Sequence, residues 1–111
     1  MDRSTEAYIF LKRRSGREMD RPFWMRLYRE SVQVRADARP DFVEELRRTA
    51  IEATASDDFV WILKGIQALA VVGQPDDLLL IHSLEGHANE EVARDAKTCA
   101  FELAHRFRES K

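Results

Sequence analysis

The chain holds a single cysteine, Cys99, among its 111 residues, so no disulfide can close within it. Three prolines and four glycines leave little turn-forming material for a many-stranded sheet, which favours helices. No apolar run approaches the length of a membrane span. The opening MDRSTEAYIFLKRR has a short apolar stretch with no small-residue cleavage site after it, so a reducing, cytoplasmic setting is expected. His82, His87 and His105 do not fall at metal-ligand spacing, and no second cysteine could join them. A Gly-rich phosphate loop, a Gly-x-Ser-x-Gly turn and a suggestive Cys/His pair are also missing. The pattern therefore assigns no catalytic residue, cofactor or metal, and the chain reads as a non-enzyme.

What remains describes one folded domain, residues 1–111. Hydrophobic residues make up 44%, enough for a single core, and the 34% of charged residues interleave in sign to a net of −2. The balance shifts along the chain. Residues 1–39 hold ten Lys/Arg against six Asp/Glu, and residues 40–111 hold eight against fourteen. The first part is therefore basic and the rest acidic, while a pI near 5.9 argues against general nucleic-acid binding.

Helical periodicity runs through most of the chain. After Asn89, a good N-cap, Val92, Ala96, Cys99, Ala100, Leu103 and Phe107 form one apolar stripe, predicting a helix over 90–108. The buried surroundings of Cys99 predict an inert thiol. Pro75 and Gly86 bracket a helix of about three turns whose apolar face is Leu78, Leu79, Leu80, Ile81 and Leu84. The segment 57–73 is apolar on nearly every side, with Lys64 and Gln67 its only polar residues after Asp57 and Asp58. It must be packed on several sides, and Gly65 at its middle points to a close approach by a neighbour. Residues 40–55 turn Phe42, Val43, Leu46, Thr49, Ala50 and Ala53 inward, with Glu44 and Arg48 spaced as a surface pair. Two further helices are expected over 4–14, ending near Gly16, and from Asp20 or Arg21 to roughly Val32. The acidic pairs Asp57-Asp58, Asp76-Asp77 and Glu90-Glu91 all stand at helix starts, where capping accounts for them.

An internal repeat emerges from these elements. Pro40-Asp41-Phe42-Val43 aligns with Pro75-Asp76-Asp77-Leu78 at an offset of 35, bringing Leu46 to Ile81 and Thr49 to Leu84. In the following helices Val60 aligns with Val92, Ala68 with Ala100 and Leu69 with Phe101, at an offset of 32. The stretch GIQALAVVGQPDDLLLIHSLEGHANEEVARDAKTCAFELAHRF resembles the junction between units of the HEAT-repeat (armadillo-type) family. A helix ending in Ala-Leu and Gly leads to Pro-Asp-Asp-Leu, then Asn-Glu-Glu-Val and Ala-x-x-x-Ala-x-x-Leu. The likeness covers about 57–109 well and 40–56 loosely. It departs at His87, Ala88, Asn89 and Glu91, where the family usually has an Asp-Pro turn and Val-Arg. A tetratricopeptide pattern fits less well, because its Trp and Gly-Tyr positions are absent.

The resemblance implies an all-α fold: a short right-handed stack of antiparallel helix pairs, an α-α superhelix of five or six helices. The pairs would span 40–73 and 75–109, with 4–39 as an atypical first pair. It also implies a non-enzymatic module that binds another macromolecule, a protein rather than nucleic acid or membrane. One form would be a small bacterial inhibitor or immunity protein, and the alternative a homodimeric regulatory or scaffold protein. The candidate partner surface is the mixed Arg-aromatic stretch carrying Arg13, Arg14, Arg17, Arg21, Trp24, Arg26 and Tyr28. In the competing reading Phe23, Trp24, Leu27 and Tyr28 pack inward and the arginines are merely solvated.

Overall fold

Asp58 opens the central helix by accepting a hydrogen bond from the Val60 N–H, and Asn89 opens the last by accepting from Glu91 and Val92. A computed structural model describes residues 6–13 and 21–109, and every regular element in them is helical. The α-helices are α1 (Glu6–Arg13), α2 (Arg21–Ala38), α3 (Val43–Ala53), α4 (Phe59–Val72), α5 (Leu78–Ser83) and α6 (Glu90–Glu109).

The Pro-Asp starts are not α-helical as the apolar pattern predicts. Pro40–Phe42 and Pro75–Asp77 are each one 3-10 turn, after which α3 and α5 begin. Proline presets φ but has no N–H, so a tight turn can precede the regular helix at little cost. A third 3-10 turn, Leu84–Gly86, replaces the last turn expected of α5. α2 runs past Val32 to Ala38, because Val32 and Ala36 continue its buried stripe until Pro40 stops it.

α4 packs against α1, α2, α3 and α6, and α5 lies on α6. α4 thus touches both α2 and α6, and α1 lies beside α3. Ile62, Leu63, Ile66 and Leu69 are all buried, as a helix apolar on every side requires. Gly65 is the point of closest approach: a Cβ there would stand 2.7 Å from the Ala50 carbonyl oxygen and 2.9 Å from the Ala53 Cβ. Some aligned positions share environments and others do not: Leu69 is buried where Phe101 is exposed, whereas the starts of α3 and α5 agree. Leu46 and Ile81 are buried, Phe42 and Asp77 are buried, and Val43 and Leu78 are partly covered.

Polar side chains hold the helix ends. Arg106 donates to the carbonyls of Ala70, Val71 and Gly73, closing the C-terminus of α4. Tyr28 donates to the Leu11 carbonyl and Lys64 to that of Lys12, closing α1. Arg47 reaches Asp77 with two hydrogen bonds, of 2.8 and 2.9 Å, tying α3 to the turn before α5. The predicted Glu44–Arg48 pair gives way to Glu44–Arg47, since Arg47 is the arginine held toward both carboxylates.

Candidate functional site

The Arg-aromatic stretch divides when folded. Trp24 is 1% exposed and Tyr28 2%, their rings stacked at 5.7 Å in the core, so neither can be the aromatic part of a docking surface. Both fall on the buried side of α2, where Tyr28 reaches the Leu11 carbonyl of α1 and burial of a large aromatic outweighs any gain from leaving it outside. Arg26 is exposed. Arg14 and Arg17 lie outside the described residues, as do the side chains of Arg13 and Arg21.

Arg29, from the same stretch, is structural. It donates to the Gln67 amide oxygen and pairs with Glu102 at 2.8 Å, while Gln67 donates to Asp95 at 3.2 Å. Gln67 and Asp95 are buried, so this chain of polar groups runs through the interior and links α2, α4 and α6. Asp95 falls outside the apolar stripe that the sequence shows on α6, yet it is buried. The signal that could have found it is its position one turn before Cys99, facing the only uncharged polar residue of α4.

Asp77 does more than cap. Burial pushes its carboxyl up, but the hydrogen bonds from Arg47 and the Gln74 N–H outweigh this and hold it below the ordinary carboxylate range. Cys99 is buried, its thiol pushed up to about 12 by the loss of water, with Sγ 3.5 Å from the Ile66 carbonyl oxygen; it is no nucleophile. No cluster of three or more potential metal ligands exists among the described residues, and no helix there is long and apolar enough to cross a membrane.

Sequence reasoning missed a cleft of about 720 Å³ between α1 and the turn from α3 to α4. Tyr8 and Trp61 form its floor, edge to face at 5.5 Å, and Glu52, Asp57 and Asp58 stand around it. Lys12 is its one cation among the described residues, 4.8 Å above the Trp61 ring and 3.9 Å from Asp58. These residues run from Tyr8 to Trp61 along the chain, so only the packing of α1 on α3 and α4 collects them.

A second arrangement lies on the α1–α2 side, where Leu27 and Val34 are exposed beside Phe10 and Arg35, the Arg35 guanidinium standing 4.4 Å over the Phe10 ring. Comparison of the chain with protein-family models, curated proteins and solved structures finds no match.

Proposed function

We propose that this chain is a non-enzymatic protein-binding module, a HEAT-like right-handed stack of helix pairs working in the bacterial cytoplasm as a small inhibitor or immunity-type protein. The carrying observation is the cleft beside Trp61. Among the described residues it sets Glu52, Asp57 and Asp58 against Lys12, beside Tyr8 and Trp61. A concave acidic surface with half-buried Tyr8 beside it suits a basic element of a partner protein better than it suits a second copy through apolar contact. Glu52→Arg combined with Asp57→Arg tests this, since both side chains are exposed and the fold should survive. Immobilised wild-type chain should retain a basic protein from its native host that the double variant loses. Identical proteins retained by both would remove the cleft from the function.

A homodimer is the second reading, favoured by the exposed Leu27 and Val34, seven residues apart on α2. Sedimentation equilibrium would show a dimer that Val34→Glu dissociates; a wild-type monomer at high concentration would end that reading.

A further inference from the structure

The exposed side of α6 is a single stripe. Arg94, Lys97, Phe101, His105 and Arg108 follow one another at intervals of three, four, four and three residues, which puts them on one face of a helix. All five are exposed, and they lie opposite the buried Val92, Ala96, Cys99 and Leu103. Among the described side chains from Arg94 to Arg108 no carboxylate interrupts this face. Asp95 turns inward to Gln67 and Glu102 sideways to Arg29, and Glu90 precedes the stripe at the helix start. Phe101 is 71% exposed and lies parallel to the His105 ring at 6.4 Å. Arg94, Lys97 and Arg108 form no ion pair among the described residues.

The offset of 32 sets this stripe against its counterpart in α4, where Ile62, Gly65, Ile66 and Leu69 stand for Arg94, Lys97, Thr98 and Phe101. All four are buried in α4 and all four are open in α6. A helix face open to water needs polar residues to stay in solution, which accounts for Arg94, Lys97 and Thr98. It does not account for a phenylalanine kept at the centre of the cations. An aromatic anchor ringed by positive charge is complementary to a helical segment that presents one apolar side chain between carboxylates. A phosphate backbone fits less well, because the chain's net charge is −2 and Glu90, Glu91 and Glu102 flank the stripe.

We infer that this face of α6 docks an acidic, amphipathic helical segment of a partner protein. The inference rests on the protein-binding reading but not on the cleft. The test titrates ¹⁵N-labelled full-length chain with a synthetic peptide carrying Glu and Leu at helical spacing, and in parallel with oligothymidylate. The peptide should give saturable shifts concentrated in the amides of residues 94–108. Arg94→Glu/Lys97→Glu/Arg108→Glu and, separately, Phe101→Ala should each weaken it about tenfold or more while leaving the helical circular dichroism unchanged. Glu52→Arg/Asp57→Arg should leave the peptide affinity as it is, so a failed cleft and a failed stripe are told apart. Absence of saturation, shifts centred elsewhere, or full affinity in Phe101→Ala would overturn the assignment. Equal or tighter binding of oligothymidylate would replace it with a general polyanion surface.

Discussion

Gly65 shows how much one atom decides at the scale of a residue. A glycine inside a helix costs about 1 kcal/mol against alanine, so Gly65→Ala ought to stabilise α4 taken alone. In the folded chain the new Cβ would stand 2.7 Å from a backbone oxygen of α3, which cannot rotate away. The expected net result is a loss of about 1–3 kcal/mol in urea unfolding, and a rise in the midpoint would show that α3 and α4 can part freely. Leu63→Ala and Ile66→Ala should cost about 2–5 kcal/mol each, the range for truncating a well-packed core side chain. A loss near 0.5 kcal/mol at both would place α4 at an edge. Cys99 makes a chemical prediction. Its thiol, held near 12, should react with Ellman's reagent only through unfolding. In the unfolded chain a thiol ionises near 8.5, so the native protein binds the extra proton above that pH. The contribution is complete below about 8.5 and falls away as pH rises toward 12. The stability of wild type should therefore decline more steeply over that window than that of Cys99→Ala.

Between elements, the joint that matters most is Arg47 with Asp77. It is the polar link from α3 to the turn ahead of α5, and Asp77 is buried. Removing the guanidinium leaves a buried carboxylate with only the Gln74 N–H, so Arg47→Ala should cost about 2–4 kcal/mol. The acid limb carries the same information. Asp77 is held below its ordinary range, so its contribution is present above about pH 4 and disappears as pH falls through the lowered native value. Asp77→Asn should be less stable at neutral pH and lose less as pH falls below about 4. Parallel acid limbs for wild type and Asp77→Asn would show that the pair adds nothing.

For the whole molecule, one continuous core runs from Ala7 through Leu103, and the Arg29–Gln67–Asp95 chain crosses three helices inside it. Trp24 in α2 and Trp61 in α4 report on different parts of that core. Unfolding followed by tryptophan fluorescence in Trp24→Phe and in Trp61→Phe should coincide with the loss of helical circular dichroism. Separate transitions would mean that α1 and α2 melt independently of the later pairs, as loosely coupled stacked units can.

Periodicity alone determined that this protein is helical and that 57–73 is its centre, because a helix apolar all round has no stable place except among neighbours. It also located the close approach at Gly65 and the capping by Asp58 and Asn89, which depend on residues a turn apart. Contacts between residues distant in sequence were decided only by tertiary structure. Trp24 and Tyr28 read equally well as surface anchors or as core, until the approach of α4 and the C-terminus of α1 buried them. Asp77 reads as a cap until Arg47 of the preceding pair reaches it, and Asp95 as a surface charge until Gln67 meets it. The cleft around Trp61 and the open stripe of α6 are likewise properties of what packs where. The pattern of apolar residues says that a face must be covered, and only the packing of the neighbouring helices says which face stays open.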